Sequence, residues 1–393
     1  MKESQPQLRR GTPDFLLLFL TLLFVGFGLV MVFNVSSTMS VYQENPEQFN
    51  PWAMTQRQLI YVGGGLIGMF VMMNIPYHKL RKLYVPFFLL ILPVLALTPF
   101  IAEERKGARS WIDIGGFATV QPSEFAKLAL LMYLAAVISK RGEQLRDLKK
   151  GLLPVGGVVV LFAALIMAQG DLGSTLILVA SSFLLLLVGG ARLKHLITAG
   201  LAGLVAVTLL ILKEDYRVKR FTSFLNPMED RLDSGFQLAN SLIAFGHGGF
   251  GGVGLGKSIQ KLLYIPEAHN DFIFAIIGEE FGFIGTSLFL LSYLLFIWRG
   301  ILVSLRSPEP YSMLLGVGIM GWFGIQTLVN IGGVTGSMPL TGVTLPLISS
   351  GGSSIVVTLA GIGIVLGISR YAHKPDKAER TAAAKKTNRW ARA

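Results

Sequence analysis

The 393-residue chain contains no cysteine. Disulfides, thiolate nucleophiles and Cys-ligated metals are therefore excluded, and the redox state of its compartment is left open. Charge is scarce, at 15% of residues against 52% hydrophobic. So little polar surface cannot cover two soluble domains of this length, which makes the chain a polytopic membrane protein. No His-x-x-x-His, cysteine pair or dense acidic cluster marks a protein-bound metal, and no cofactor motif is evident. No period of about 20–50 residues marks a repeat array.

Long apolar runs are what the chain has instead. Phe15 to Val35 is almost wholly apolar, too long for a signal-peptide core and without a clear small-residue cleavage site after it, so it reads as a retained first span. Further spans fall at roughly 59–75, 84–101, 122–139, 152–168, 172–189, 196–212, 272–298, 311–332 and 353–371. Each is about the ~17–25 residues a helix needs to cross ~30 Å of hydrocarbon. The expected fold is all-α: a ten-helix membrane domain over 15–371, a large extracellular loop at 213–270 between helices 7 and 8, and tails at 1–14 and 372–393.

Ten spans put both termini on one side. The loops on that side carry about two-thirds of the Lys and Arg residues, and positive residues are retained in the cytoplasm. Both termini are thus expected to be cytoplasmic and the 213–270 loop to face out. The net charge of +12 then reads as topology and a basic tail near anionic lipid, with no nucleic-acid groove.

The chain converges on 264–282. A long polar loop ends there, an apolar run begins at Phe272, and Asp271 sits at the seam. A carboxylate at that place can cap the following helix, or it can do chemistry at the water–lipid boundary. Glu279 and Glu280 fall inside the apolar run, where ionisable groups are costly and are kept for pairing or for chemistry.

The other outward segments hold most of the remaining polar residues. Arg109 could hold an anionic headgroup such as a diphosphate through its forked donors. Trp111 could stack on a sugar ring or simply anchor at the interface. At 121–127, Pro122 suits a first helical turn that Gln121 or Ser123 can cap, while Glu124 and Lys127 share a face as an ion pair or as substrate ligands. Asp171 could cap the next helix or face the same cavity.

Within 213–270 the apolar supply is thin, so this loop is expected to pack on the membrane helices. Arg217, Lys219 and Arg220 make a cationic approach to it. The Gly-rich run at 246–258 superficially resembles a phosphate-binding loop, but it lacks the spacing and the strand–loop–helix setting, and close backbone approach is the better use of its glycines. The uncharged, hydroxyl-rich segment 333–354, with Ser349 and Ser350, either lines a groove next to Asp271 or simply ends a helix.

Taken together, Gly107-Ala-Arg-Ser-Trp-Ile112, Gln121-Pro-Ser-Glu124, Phe224-Leu-Asn-Pro227, Gly254-Leu-Gly256, Pro266-Glu-Ala-His-Asn-Asp-Phe-Ile-Phe274 with Glu279-Glu280, and Leu345-Pro-Leu-Ile-Ser-Ser-Gly-Gly-Ser-Ser354 resemble the RodA/FtsW/SpoVE family. The motifs come in the family's order across the whole ten-helix region. What the resemblance implies is a peptidoglycan glycosyltransferase of the bacterial plasma membrane that polymerises lipid II on a polyprenyl-linked glycan and releases undecaprenyl diphosphate. Its implied partner is a class B penicillin-binding protein acting as transpeptidase, and a divalent cation, Mg or Mn, could ride on the substrate diphosphate. The family's essential aspartate falls on Asp271 as general base. Arg109, Trp111, Gln121, Glu124 and Lys127 match outer-cavity positions, and Arg217 and Arg220 do so more loosely. Asn270, Phe236 and Gly170 depart from the residues common in the family, while the Pro-Glu-Ala-His context leans toward the division-type branch. A lipid II flippase and a non-catalytic scaffold for wall synthases are the competing functions.

Overall fold

A computed structural model describes residues 11–41, 50–105, 107–115, 118–212, 215–229, 235–266 and 268–371. The assignments made to the outermost tails, 1–10 and 372–393, lie outside them. Among the described residues, twelve α-helices run in the order α1 (Phe15–Val41), α2 (Ala53–Asn74), α3 (Tyr77–Ile101), α4 (Pro122–Arg141), α5 (Leu153–Met167), α6 (Leu172–Val188), α7 (Leu193–Leu212), α8 (Asp215–Leu225), α9 (Phe236–Gly248), α10 (Ile273–Leu305), α11 (Pro310–Val334) and α12 (Gly352–Ser369).

The ten expected spans correspond to α1–α7 and α10–α12. By length and composition, seven of the helices can cross a membrane, and α6 and the first part of α7 are shorter apolar helices. In lipid there is no hydrophobic drive between helices, so close backbone packing has to supply cohesion. α12 lies against α2 in this way: a Cβ on Gly363 would stand 2.3 Å from the Met69 carbonyl oxygen. α4, α11 and α12 form the buried centre, whereas α7 turns Ile197, Leu201, Leu204, Val205 and Leu209 outward.

Two departures from an all-α loop-connected bundle matter. The 102–121 connection folds into three short antiparallel strands, β1 (Glu103–Arg105), β2 (Ala108–Ile114) and β3 (Ala118–Val120), in the order β1-β2-β3. The 213–270 loop carries α8 and α9, and it packs on the bundle as its weak apolar content requires. Ser241 Oγ donates to the Val334 carbonyl of α11 at 2.7 Å, and within the loop Asn240 Nδ2 donates to the Tyr264 carbonyl at 2.9 Å.

Both described termini meet at one end of the bundle. Gly11 N donates to the Arg370 carbonyl at 2.8 Å, and Arg299 holds Asp14 through two bonds of 3.1 and 2.6 Å. Arg81 reaches Glu309 at 3.0 Å on the same end. The starts of α4, α6, α10 and α12 lie at the opposite end, where the sequence places its outward loops.

The long span that follows Asp271 is broken. Gly282, at φ 64° and ψ −168°, interrupts α10, a backbone conformation that only glycine adopts freely. The helical hydrogen bonds lost there are replaced from the Gly-rich run. Val253 and Gly254 donate their N–H groups to the carbonyls of Glu279 and Glu280, both at 3.0 Å. Phe283 and Ile284 donate to the carbonyls of Gly249 and Phe250 at 2.8 and 3.1 Å. The fit leaves no room for a side chain at Gly252, where a Cβ would lie 2.2 Å from the Glu280 carbonyl oxygen. Gly248 and Gly252 therefore serve close backbone approach to a helix, whereas a Cβ on Gly246, Gly249 or Gly251 would meet nothing within 4 Å.

Candidate active site

Asp271 lies in the turn just before α10, half-buried. Phe272 occupies the N-cap position of that helix and makes no side-chain cap bond. The main chain of Asp271 is pinned. Asn330 Nδ2, on α11, donates to the Asp271 carbonyl and to the Val343 carbonyl, both at 2.7 Å. Asp271, Asn330, Gly333, Thr341 and Gly342 line a small pocket. The turn thus brings a carboxylate-bearing residue to the lining of a pocket at the bundle's end.

The 333–354 segment forms the facing wall. Ser350 N donates to the His269 carbonyl at 2.9 Å, which lays this segment directly beside the turn that carries Asp271. Ser349 is buried, and its hydroxyl oxygen accepts from Leu345 N at 2.8 Å, closing the turn 345–349. Its carbonyl accepts from Gln58 Nε2 at 3.4 Å. Ser349 thus shapes the wall, and Ser350 contributes backbone.

A second polar group stands next to this wall. Asp171 caps α6, accepting from Ser174 N at 2.8 Å, and its other oxygen accepts from Gln121 Nε2 at 3.0 Å. Gln121 occupies the N-cap position of α4 with no side-chain cap bond, because its amide is turned to Asp171, while its backbone N–H donates to Ser353 Oγ at 3.0 Å. Pro122 takes the first helical turn as its missing N–H predicts.

Glu124 and Lys127 form an ion pair of 2.9 Å, with side chains 5% and 2% exposed. Lys127 Nζ also donates to Gln326 Oε1 at 3.2 Å and lies 5.0 Å from the centroid of Trp322. Gln326 passes the contact on, its Nε2 donating to the Thr344 carbonyl at 2.9 Å in the same wall. A charge pair this deep needs such extra partners to offset desolvation.

Arg109 and Trp111 sit on β2, above the α5–α6 turn. Arg109 N donates to the Gln169 carbonyl at 2.8 Å, while its exposed guanidinium pairs with Glu104 at 3.1 Å. An exposed pair of this kind is weak and readily exchanged for another anion. Trp111 is half-buried and stands opposite Glu103 of β1. Arg217 and Arg220 fall on α8, with side chains outside the described residues. Among the described residues, no group of three His, Asp or Glu side chains gathers where it could hold a metal ion.

Glu279 and Glu280 are paired, on residues that give no sequence signal. Glu280 binds Lys261 Nζ at 3.0 Å and Asn34 Nδ2 at 2.6 Å, and Lys261 Nζ closes the triangle to Asn34 Oδ1 at 2.7 Å. Glu279 accepts from Ile259 N, Gln260 N and Ser258 Oγ, and faces His247 Nδ1 at 3.3 Å. Gln326 and Asn330 were legible in principle, as amides one turn apart in an apolar run. Asn34 and Lys261 were not.

These features define a multi-pass membrane protein with a small pocket, lined in part by a carboxylate residue, at the end of the bundle opposite its termini. Comparison gives the particular family. The family model described as "Cell cycle protein", FtsW/RodA/SpoVE, matches residues 14–374, and the chain belongs to that family. It is 43% identical over 368 residues to stage V sporulation protein E of Bacillus subtilis, covering 92% of this chain and 98% of that one. It is 38% identical over 358 residues to a probable peptidoglycan glycosyltransferase FtsW of Geobacter sp. strain M18, covering 91% and 96%. Among solved structures, the rod shape determining protein RodA of Thermus thermophilus superposes with a TM-score of 0.67 at 30% identity, covering 92% of this chain and 98% of that one. A chain from a study of polymerization and crosslinking by a peptidoglycan synthase complex superposes with a TM-score of 0.72 at 30% identity, covering 92% and 99%.

Proposed function

We propose that this protein is a peptidoglycan glycosyltransferase that polymerises lipid II at the outer face of the plasma membrane, with Asp271 as general base. The single observation that carries the assignment of the base is the carboxylate itself, held beside a pocket at the end of the bundle remote from the termini. The excess of Lys and Arg in the loops at the terminal end supports a cytoplasmic location for both termini, and so an outward-facing chamber.

In the reaction, a carboxylate oxygen of Asp271 takes the proton of the acceptor sugar's 4-hydroxyl as that oxygen attacks the anomeric carbon of the lipid-linked glycan. The new glycosidic bond forms as the bond to the diphosphate breaks, and undecaprenyl diphosphate leaves with the bonding electrons. The leaving group carries its own driving force, so no nucleotide site is needed. Arg109 is placed to exchange Glu104 for the diphosphate, and Trp111 beside it offers a face to a sugar ring. Arg217 and Arg220 supply further positive charge for the diphosphate. Gln121, Ser349 and Ser350 shape the chamber, and the Glu124–Lys127 pair acts from within it, by fixing the wall through Gln326. A divalent cation, Mg or Mn, would be carried on diphosphate oxygens, since the described residues offer no three-carboxylate or histidine cluster for it.

Apolar helices around the chamber allow two prenyl-anchored substrates to enter from lipid and meet, which is where proximity contributes most. A class B penicillin-binding protein fits as the crosslinking partner, in line with the synthase complex to which the fold is similar. Purified Asp271→Asn protein, incubated with labelled lipid II and resolved on a glycan gel, is expected to make no strands at wild-type levels of folded protein. Strand formation at an undiminished rate would remove Asp271 as the base. Movement of lipid II across liposomes without any strands from the wild type would support the flippase instead.

A further inference from the structure

The break at Gly282 isolates the first part of α10, residues 273–281, as a separate rod with Asp271 at one end and Glu279 and Glu280 at the other. Nine residues of helix span about 13 Å. A rod that short moves as one piece, so whatever holds the acidic end sets the position of the other. Consecutive helical residues point about 100° apart, and the two carboxylates accordingly hold the 258–261 turn at two places. Glu279 takes the N–H groups of Ile259 and Gln260 at 3.1 and 3.2 Å. Glu280 takes Lys261 Nζ, which is shared with Asn34 of α1.

The same turn leads straight into the segment that carries Asp271. Ile265 N donates to the Gln260 carbonyl at 3.1 Å, and Ala268 N donates to the Ile265 carbonyl at 3.2 Å. The Glu280–Lys261–Asn34 triangle therefore closes a ring of contacts: rod, turn, the 264–271 segment, and back to the rod. The Lys261 and Glu280 side chains are 5% and 0% exposed, so the triangle is not an open substrate site.

We infer that Lys261, Glu280 and Asn34 are positioning residues: their buried triangle fixes the tilt of the 273–281 rod against α1 and thereby the reach of Asp271 to the acceptor hydroxyl. The inference rests on Asp271 being the base. It predicts an effect on turnover more than on substrate binding, because none of the three lines the pocket and a misplacement of about 1 Å at a reacting group can cost ~100-fold in rate.

The test uses the full chain as Lys261→Met, Glu280→Gln and the double variant Lys261→Met/Glu280→Gln. The double variant matters because either single change leaves a buried charge without its partner and can prevent folding, whereas removing both does not. Glycan gels give kcat and KM for lipid II per folded molecule, and hydrogen exchange reads the 264–272 peptides independently of chemistry. In the double variant kcat is expected to fall about 10–100-fold with KM within about twofold. Exchange over 264–272 should rise by about tenfold, while peptides of α4 and α12 stay unchanged. Wild-type kcat and wild-type exchange in the folded double variant would overturn the positioning role while leaving Asp271 essential. An active Asp271→Asn protein would instead sink the base assignment, whatever the exchange shows.

Discussion

Lys127 Nζ lies 2.9 Å from Glu124 Oε1, one helical turn away, in a setting that excludes nearly all solvent. Both charges point into the bundle from α4, and Gln326 of α11 links them to the wall at Thr344. The pair joins α4 and α11 to the segment that faces Asp271. Its contribution is therefore to the geometry of the chamber as much as to stability.

Lys127→Met should be strongly destabilising, by about 3–5 kcal/mol, because it strands the Glu124 carboxylate in a dry interior. Glu124→Gln/Lys127→Met should recover most of that loss, since no unpaired charge remains. Thermal unfolding in detergent checks both. A single variant as stable as wild type would mean that water reaches the pair.

Gly252 and Gly246 should respond in opposite ways to the same substitution. A Cβ on Gly252 meets the Glu280 carbonyl at 2.2 Å, and the residue has φ of 78°, whereas a Cβ on Gly246 meets nothing within 4 Å. Gly252→Ala is expected to disturb the break at Gly282 and lower both stability and polymerisation. Gly246→Ala lies within helix α9 and should be neutral or stabilising by about 0.5–1 kcal/mol. Melting curves and glycan gels on the two proteins side by side decide the matter.

Asp171→Ala removes the cap of α6 and the partner of Gln121, at a cost of about 1–2 kcal/mol. Asp171→Asn keeps an oxygen for Ser174 N and should lose less. Equal melting temperatures for the Ala and Asn variants would show that the cap bond contributes little.

Asp14 provides a pH dependence at the terminal end. Burial pushes its carboxyl up, but the bonds from Arg299 and from Leu17 N and the charge of Arg299 outweigh this and hold it below its ordinary value of 3.8. A lowered folded pKa means stability that is fully present above the ordinary value and lost as pH falls through the folded one. The melting temperature of the wild type should therefore decline as pH falls below that ordinary value of 3.8, and Asp14→Asn should flatten that decline. At neutral pH the variant should be less stable by about 1.5–3 kcal/mol, the value of hydrogen bonds to a charged group.

The order of spans, the gathering of alternate loops at one end of the bundle and the seam at Asp271 could all be read from the chain. Each depends on a local property, a run of apolar residues or a charge beside it, that the bilayer selects one segment at a time. Asp171 as a cap and close approach at Gly248 and Gly252 were legible from local pattern as well. The strands at 103–120 were not, because a short hairpin leaning on the α5–α6 turn has no apolar alternation strong enough to declare itself.

Only the tertiary structure could break α10 at Gly282, turn Gln121 from its helix end to Asp171, and bring Asn34 and Lys261 to Glu280. A broken helix is tolerable in lipid only where other backbone satisfies the freed groups, and those groups come from 249–254, about thirty residues earlier. Asn34 lies 246 residues from Glu280, a separation across which no periodicity carries information. The sequence by itself determined which residues must avoid lipid. Which of those residues meet was decided by packing, because a buried charge is stable only beside a partner that folding brings to it.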